Sequence, residues 1–113
     1  MIKKIPSFDG YYVSSAGNVY SRKRRAFRKL QPRFRRYAEV QLSTNGKIKY
    51  MRIHRLVLET FVGHRPKNFE CRHLNDKKRD NRLSNLVWGS RLENMRDRVR
   101  NFGKTRFYSK IKN

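Results

Sequence analysis

The sequence predicts an α+β fold in which a β-rich N-terminal module leads into a hairpin, a helix and a C-terminal strand–strand–helix unit. Three observations predict it. Residues 37–53 alternate apolar and polar positions around an Asn-Gly pair, which is typical of a β-hairpin. Residues 54–62 change to a helical period that Gly63 ends. Residues 69–100 contain two short apolar strands, a polar loop between them and a second helix.

The first third of the chain predicts short strands joined by turns. The β-prone run Tyr11-Tyr12-Val13 follows a turn signal, and Val19-Tyr20 follows a second turn at residues 14–18, so the two runs predict a small hairpin. The next segment, Ser21–Lys29, has six Lys or Arg among nine residues. Such a run is either a solvated surface or a segment that tracks phosphates.

The charge of the chain points to a polyanionic partner. Its 113 residues fit one domain with a modest core, and 30 Lys and Arg against 8 Asp and Glu give a formal net charge of +22. So high a charge repels itself unless a polyanion offsets it, which makes nucleic acid the first candidate and an anionic membrane surface the second. Aromatic residues form 12 % of the chain, which argues against a disordered basic tail.

Cysteine usage and the absence of long apolar runs indicate the compartment. Cys71 is the single cysteine, which excludes an intramolecular disulfide and a cysteine-based zinc cluster and suits a reducing cytoplasm. No apolar run is long enough for a membrane span, and the first residues lack the apolar stretch of a secretion signal. We therefore expect a cytoplasmic protein that is not secreted.

The strand, loop, strand and helix of residues 69–100 are the stretch in which we expect chemistry. This order places His73 at the end of the first strand, Asn85 at the start of the second and Asn94 in the first turns of the helix. Such a helix, packed across a hairpin, could bring an imidazole and an amide oxygen to one cleft. A neutral imidazole accepts a proton from water, and a divalent cation stabilises a departing phosphate oxygen. These are the needs of a metal-assisted phosphodiester hydrolase.

The second helix has its own start signal and a predicted buried side. Ser90 and Glu93 have the spacing of a capping box. Leu92, Met95 and Val99, spaced three and four apart, are expected to form the buried stripe of the helix. We expect Trp88, in the strand before it, to lie in the core with a hydrogen-bond partner for its indole N–H.

Five stretches carry a recognisable pattern. They are Ile5-Pro6-Ser7-Phe8-Asp9-Gly10-Tyr11-Tyr12-Val13-Ser14, His54-Arg55-Leu56-Val57 with Phe61, Cys71-Arg72-His73-Leu74-Asn75-Asp76, Asp80-Asn81-Arg82-Leu83-Ser84-Asn85-Leu86-Val87-Trp88-Gly89, and Glu93-Asn94. In this order and spacing they resemble the HNH endonuclease family, and most of all its small phage and intron-homing branch, in which the last H is Asn. The first stretch resembles the short module often found ahead of such nucleases.

The resemblance implies a role for each matching residue. His73 would be the general base that activates water, and Asn85 would tie down the loop and the His73 strand through hydrogen bonds to the backbone. Asn94 would be an oxygen ligand to Mg²⁺ or a similar divalent cation, one per site. The product would be a cleaved phosphodiester bond in DNA, made in the host cytoplasm if the chain is phage-encoded.

One position departs from the pattern of that branch. The residue before the catalytic His is usually a metal-binding Asp, whereas here it is Arg72, which cannot bind a cation. Asn75 takes the place of a frequently acidic residue, and it could bind the metal or only shape the loop. We therefore expect weak metal binding without DNA, with phosphate oxygens of the substrate completing the coordination.

The DNA contacts are expected at two places. Arg72, Arg82 and Arg91, in that order, are candidates for gripping the scissile phosphate, and the basic segment at residues 22–36 would grip duplex DNA away from the cut. The candidates in that segment are Lys23, Arg24, Arg25, Arg28, Arg35 and Arg36.

The expected organisation is a DNA-binding module at residues 1–53, an HNH unit at residues 54–100 and a basic tail at residues 101–113. We expect no membrane partner and no small-molecule cofactor. Structural roles are expected for other polar residues near the site. His54 is expected to pack and cap its helix rather than contact DNA. Asp76 and Asp80 are expected to hold the loop through hydrogen bonds from their side chains to the backbone.

Two other functions fit the same sequence. Arg72 favours a DNA-binding module that keeps the HNH fold without catalysis. Size and charge alone favour a structural RNA-binding protein.

Overall fold

The computed structural model describes residues 1–23 and 26–101, with the exception of five side chains in the last helix. These belong to Asn94, Asp97, Arg98, Arg100 and Asn101. The expectations for Arg24, Arg25 and the basic tail beyond residue 101 therefore lie outside the described residues. The predicted α+β class is confirmed, with nine strands and two α-helices in the part of the chain described.

The N-terminal module forms a four-stranded antiparallel sheet in chain order. Its strands are β1 (Ile2–Lys4), β2 (Tyr11–Ser14), β3 (Val19–Lys23) and β4 (Ala26–Lys29). The predicted hairpin is present as β2 and β3, which pair Val13 with Val19. In the described part of the basic segment Ser21–Lys29, residues 21–23 lie in β3 and residues 26–29 lie in β4. Successive side chains of a strand point to opposite faces, so the exposed cations of β3 and β4 lie on both faces of this part of the sheet.

The second sheet contains the hairpin predicted at residues 37–53. The strands β5 (Arg33–Phe34), β6 (Ala38–Thr44) and β7 (Lys47–Arg52) pair antiparallel in that order. The two turn residues between β6 and β7 both have positive φ, 52° at Asn45 and 75° at Gly46. This is the backbone that the favoured two-residue hairpin turn requires, and it explains the Asn-Gly pair.

Helix α1 (Ile53–Phe61) follows β7 directly and forms the centre of the core. Its Leu56, Val57 and Leu58 side chains are fully buried. The three consecutive side chains are all buried because α1 contacts strands of all three sheets. The helix ends as predicted at Gly63, whose N–H donates to the Leu58 carbonyl and whose φ is 136°.

The C-terminal unit is a two-stranded sheet with a helix packed on it. Strand β8 (Phe69–His73) pairs antiparallel with β9 (Leu86–Ser90), and α2 (Arg91–Asn101) contacts both strands. A short 3-10 turn, Leu83–Asn85, precedes β9. Trp88 is half-buried against the core, and its Nε1–H donates to the Gly63 carbonyl at 3.1 Å, as predicted.

A single core joins the N-terminal module to the C-terminal unit. Its members come from the segment before β2, from the first two sheets, from α1 and from β9. The fully or nearly fully buried apolar residues are Ile5, Phe8, Tyr11, Val13, Val19, Ala38, Val40, Leu42, Ile53, Leu56, Val57, Leu58 and Leu86. Within the described residues, no helix has both the length and the apolar character needed to cross a membrane.

The buried stripe predicted for α2 is wrong. Leu92 and Met95 are 55 % and 59 % exposed, and Val99 is only half-buried. The capping box is correct, since the Glu93 N–H donates to Ser90 Oγ and the Ser90 N–H donates to Glu93 Oε1. Among the described side chains of α2, Glu93 contacts β8 through Arg72, whereas Leu92 and Met95 face solvent.

Candidate active site

His73, the candidate base, lies buried at the end of β8, opposite Leu86 of β9. Its Nε2 atom lies 3.0 Å from Oδ1 of Asn81, which is also buried. An amide oxygen only accepts hydrogen bonds, so this contact places the imidazole proton on Nε2 and leaves the lone pair on Nδ1. Asn81 was not among the predicted site residues, because nothing in the local pattern distinguishes it from the other asparagines of the loop.

His54 lies against His73, a neighbour that sequence spacing did not predict. The two imidazole rings meet edge to face at 5.1 Å between centroids, and the Tyr37 ring lies 5.1 Å from His54 and 6.3 Å from His73. The expected packing of His54 is confirmed, but the expected capping is wrong, because the N-cap is Arg52 and it makes no side-chain cap bond. The Nδ1 atom of His54 is buried without a hydrogen-bond partner.

Both imidazoles are held in the neutral form. Burial, together with the nearby His73, Arg52 and Arg55, lowers the pKa of His54 to about 3. Burial also lowers the pKa of His73, although the Asn81 bond and the Asp76 and Asp80 carboxylates oppose that shift. A neutral imidazole is the state in which histidine can accept a proton from water.

Asn85 holds the loop between β8 and β9 through its side chain. Its Oδ1 accepts from the Asn75 N–H at 3.0 Å, and its Nδ2 donates to the Asp80 carbonyl and to Asn75 Oδ1, each at 2.9 Å. Its own carbonyl accepts from the Leu74 N–H at 2.8 Å. The backbone hydrogen bonds expected of Asn85 are therefore present, and they fix the loop that follows His73.

Asn75 is fully engaged within the same loop. Its Oδ1 accepts from Asn85 Nδ2 and from the Lys77 N–H, and its Nδ2 donates to Asp80 Oδ2 at 2.8 Å. Both lone pairs of the oxygen are used in this way. The geometry therefore favours the loop-shaping role of Asn75 over the role of a metal ligand.

Asp80 holds the loop through the expected bond to backbone, that of Arg82, and also through two side chains. Its carboxylate receives two hydrogen bonds from the Arg82 guanidinium, both at 2.8 Å, and one from Asn75. Arg82 and Asn75 together hold the pKa of Asp80 well below its usual range. Asp76 has a left-handed φ of 60°, and its N–H donates to the His73 carbonyl, so its part is a tight turn directly after the base.

Arg72, which replaces the expected acid, crosses over Gly89 toward α2. Its Nη1 lies 3.1 Å from Glu93 Oε2, and its side chain is only 15 % exposed. A Cβ at position 89 would lie 1.8 Å from Arg72 Cδ, so only glycine leaves room for this path. The guanidinium therefore ties β8 to the first turn of α2.

The turn between β2 and β3 reaches the active-site loop. The Ser15 carbonyl accepts from the Leu83 N–H at 2.8 Å, and Gly17 lies directly against the backbone of Asn81. A Cβ at Gly17 would lie 2.7 Å from the Asn81 carbonyl oxygen, and the φ of Gly17 is +88°. The N-terminal sheet thus contacts the residue that holds His73.

Cys71 completes a second cluster around His73. Because it lies two residues before His73 on β8, its side chain points to the same face of the strand. One ligand atom each from His54, Cys71 and His73 lie within 4.8 Å of one another, an arrangement that can hold a metal ion. Burial raises the pKa of the Cys71 thiol to about 12, so it carries its proton at neutral pH.

Comparisons with known proteins agree with this geometry. Residues 51–96 match the sequence model of the HNH endonucleases, and residues 3–54 match the NUMOD4 motif. The chain belongs to the HNH endonuclease family. The HNH match contains α1, the β8–β9 hairpin and the first turns of α2, which are the elements that position His73.

Two curated relatives come from Acanthamoeba polyphaga mimivirus. The HNH endonuclease L245, described as uncharacterized, is 33 % identical over 90 residues, which cover 77 % of this chain and 26 % of that protein. The HNH endonuclease L247, described in the same way, is 31 % identical over 87 residues, covering 76 % of this chain and 22 % of that protein. The chain therefore spans about a quarter of the length of these relatives.

A solved structure of the HNH homing endonuclease I-HmuI is also similar. It describes DNA binding and cleavage by that enzyme. The TM-score is 0.78 at 26 % sequence identity, and the match covers 88 % of this chain and 58 % of I-HmuI. The HNH unit and the module ahead of it therefore share one arrangement in the two proteins.

HNH nucleases generally use a divalent metal, and the described side chains offer few hard oxygen ligands for one. Asn75 is engaged in the loop and Arg72 is cationic. Two carboxylates lie near His73, those of Asp76 and Asp80. Asp80 is hydrogen-bonded to Asn75 within the loop, which leaves the Asp76 carboxylate as the candidate oxygen ligand. The side chain of Asn94, in α2, lies outside the described residues. These donors fit a metal that is completed by ligands from the substrate.

The predicted DNA-contacting residues divide into two groups. Arg72 and Arg82 are engaged by Glu93 and Asp80, although the Arg82 side chain remains 62 % exposed. The others in the described part of the chain are exposed on the surface, and they are Lys23, Arg28, Arg35, Arg36 and Arg91. The aromatic rings interleaved with them are half-exposed: Phe27 stacks on Tyr20 at 5.0 Å, and Arg79 lies over Phe34 at 4.6 Å.

Proposed function

We propose that this chain is a divalent-metal-dependent endonuclease that hydrolyses phosphodiester bonds in duplex DNA, with His73 as general base. The observation that carries the proposal is the His73 environment: the imidazole is buried, neutral, and held through Nε2 by Asn81. A surface or structural histidine needs no such orientation. Membership of the HNH family and the likeness to I-HmuI support DNA as the substrate.

In this mechanism the His73 imidazole takes a proton from a water molecule at Nδ1 while Asn81 holds the ring. The hydroxide so formed attacks phosphorus, and the bond to the leaving oxygen breaks. When bound, the metal supplies positive charge that stabilises the leaving oxygen. Of the exposed arginines, Arg82 and Arg91 would contact the DNA backbone near the hairpin.

The metal would be held by Asn94, with the Asp76 carboxylate as a second oxygen ligand and DNA phosphate oxygens as the rest. Arg72 takes no part as a ligand. Its ion pair with Glu93 instead fixes α2, and with it the position of Asn94, against the strand that carries His73. Because the protein supplies so few ligands, we expect metal affinity to be low until DNA is bound.

Cleavage of a set of supercoiled plasmids of unrelated sequence tests the proposal. With Mg²⁺ or Mn²⁺ the wild-type protein is expected to nick or linearise at least one plasmid, and His73→Ala is expected to lower that rate about 10²- to 10⁴-fold, the usual contribution of a general base. His64→Ala is the matched control, because His64 is exposed in the loop after α1.

Two outcomes of the plasmid assay would overturn the proposal. Tight DNA binding without cleavage across these metals and sequences would favour the DNA-binding module that lacks catalysis. Equal cleavage by wild-type protein and His73→Ala would remove His73 from the mechanism.

A further inference from the structure

The cluster of His54, Cys71 and His73 has a chemistry different from that of the proposed Mg²⁺ site. One thiol and two imidazoles are soft or borderline ligands, which select Zn²⁺ over Mg²⁺. Mg²⁺ prefers oxygen ligands, so the two metals would not compete for the same atoms. The cluster has no acidic or amide oxygen among its three members.

His54 is the strongest sign that the cluster is built to bind something. His54 is only 6 % exposed, and its Nδ1 has no hydrogen-bond partner. A buried polar atom without a partner destabilises the fold, so such atoms are rare unless a ligand or ion satisfies them. In the neutral state produced by its burial, His54 has a lone pair ready to bind a metal.

The three ligand atoms are close to the spacing that zinc requires. Tetrahedral Zn²⁺ with bonds of about 2.0–2.3 Å holds its ligand atoms about 3.3–3.8 Å apart. The three atoms lie within 4.8 Å of one another, so side-chain movements of about 1 Å would bring them to the spacing of zinc ligands. Three protein ligands leave a fourth position for water.

A pocket gives the metal a path to the cluster. The pocket has a volume of about 310 Å³ and is lined by His54 and Cys71 together with Glu39 and Glu70. Two carboxylates at one pocket are notable in a chain with only 8 Asp and Glu. They offset part of the charge of three arginines that also line the pocket, Arg52, Arg55 and Arg65, and the thiolate that forms on zinc binding offsets more.

We propose that His54, Cys71 and His73 form an inhibitory Zn²⁺ site, entered through this pocket. Zinc binding displaces the Cys71 thiol proton to solvent and forms one S–Zn and two N–Zn bonds. A neutral imidazole has one ring lone pair, so a zinc-bound His73 has none left for water, whichever nitrogen binds. The inhibitory half of the proposal rests on the proposed nuclease function, whereas the binding half does not.

Metal titration of the DNA-free protein tests the binding half. Co²⁺ is the spectroscopic probe, and we expect one equivalent to give a thiolate-to-metal charge-transfer band that Zn²⁺ removes. Cys71→Ser should abolish the band and weaken zinc affinity at least tenfold, and His54→Gln should weaken it as well. His64→Ala should behave as wild type. A spectrum without a thiolate band, or equal zinc affinity in Cys71→Ser, would refute the site.

A second measurement guards against a variant that folds poorly. Alkylation of the single cysteine in the unmodified protein should slow when Zn²⁺ is added and should be unaffected by Mg²⁺. A thiol that reacts equally fast with and without Zn²⁺ would refute the site without the use of any variant.

Plasmid cleavage supported by Mg²⁺ tests the inhibitory half. Stoichiometric Zn²⁺ should lower the wild-type and His64→Ala rates at least tenfold, and a zinc-selective chelator should restore them. Cys71→Ser, compared with its own zinc-free rate, should be much less sensitive. Unchanged wild-type cleavage with zinc bound would overturn inhibition. Absence of cleavage under all conditions would instead count against the proposed nuclease function, since the titration measures zinc binding separately.

Discussion

At the scale of single residues, the site depends on how one imidazole is held. His73 is buried at a strand end, with Asn81 on one nitrogen and the His54 ring on its face. Asn81 therefore acts as a positioning residue, since it fixes the ring and its tautomer without touching the substrate. The position of the proton matters as much as the presence of the ring, because only the nitrogen without a proton can serve as a base.

We expect Asn81→Ala to lower kcat about tenfold, since the hydrogen bond it removes contributes about 1–1.5 kcal/mol, with little change in KM. Asn81→Asp keeps an oxygen acceptor and adds a negative charge, which favours protonated His73. It should keep more activity, with the acidic limb of its pH–rate profile moved to higher pH. An Asn81→Ala enzyme with the wild-type kcat would show that the contact does not position the base.

Buried His54 makes a second prediction, about stability against acid. Its pKa is lowered from 6.5 to about 3 in the folded protein, so the unfolded chain binds the proton first as pH falls. Stability should therefore be complete above pH 6.5 and fall between pH 6.5 and about 3, by up to about 1.4 kcal/mol per pH unit for each such group. His73 contributes in the same direction, because its pKa is also lowered.

Urea unfolding of the metal-free protein at several pH values between 7 and 4.5 checks this prediction. The upper part of the window precedes the titration of ordinary carboxyl groups. The His54→Gln variant cannot take up the proton, so its stability should fall less steeply with acid than that of the wild type. Equal slopes in the two proteins would contradict the assigned pKa of His54.

At the scale of elements, the loop between β8 and β9 is held from two directions. Asn85 and Asn75 fix it from within, and the β2–β3 turn contacts it through Ser15 and Gly17. The N-terminal sheet therefore contributes to the geometry of the site as well as to DNA binding. The ion pair of Arg72 with Glu93 adds a third connection, between β8 and α2.

We expect Gly17→Ala to impair both folding and cleavage. Its Cβ would meet the Asn81 backbone at 2.7 Å, and its φ of +88° is unfavourable for alanine, so a loss of about 2–4 kcal/mol is expected. Gly46→Ala is the matched control, because φ there is +75° and nothing lies within 4 Å of the added Cβ. It should lose only about 1–2 kcal/mol and keep its cleavage rate.

Thermal unfolding and plasmid cleavage of the two glycine variants measure these effects. If Gly17→Ala and Gly46→Ala behaved alike, the turn would have no part in holding Asn81.

The elements were largely predictable from the sequence, because they depend on local signals. The Asn-Gly turn fixed the β6–β7 hairpin, and Gly63 and the Ser90–Glu93 box fixed helix ends. Contacts between distant segments carry no such signal. The meeting of His54 with His73 and the docking of Gly17 on Asn81 join residues far apart in the chain, and no spacing rule predicts them.

The wrong stripe in α2 and the unpredicted partner of Arg72 have a common physical origin. A helical period shows which residues share a face but not which face meets the sheet. The Arg72–Glu93 ion pair and the space over Gly89 turn Glu93 toward β8, and Leu92 and Met95 are exposed. The sequence predicted Arg72 as a missing metal ligand and a candidate phosphate contact, but it carried no signal for the pairing with Glu93.

At the scale of the whole molecule, charge dominates. A formal net charge of +22 on 113 residues makes DNA binding depend strongly on salt, since each neutralised phosphate releases counterions. The exposed cations of β3 and β4 lie toward one edge of the four-stranded sheet, on both of its faces, and β1 forms the opposite edge. We propose that the edge with β4 is the part of the module that grips the DNA backbone.

The salt dependence of duplex binding tests this assignment. The Arg28→Ala/Lys29→Ala variant removes two exposed cations from β4, and the slope of log affinity against log salt should become shallower by about 2. Lys3→Ala/Lys4→Ala removes the same charge from β1, at the opposite edge, and should leave the slope close to that of the wild type. Equal changes in the two variants would show that the edge with β4 has no special role.

The most direct test of the central claim is chemical rescue of the base. His73→Gly removes the imidazole and leaves a space, so plasmid cleavage with Mg²⁺ should be lost and then partly restored by added imidazole. His64→Gly should cleave at the wild-type rate with or without imidazole. Restoration that follows the neutral form of imidazole as pH changes would establish that His73 supplies a base. Cleavage by His73→Gly at the wild-type rate without imidazole would contradict the claim.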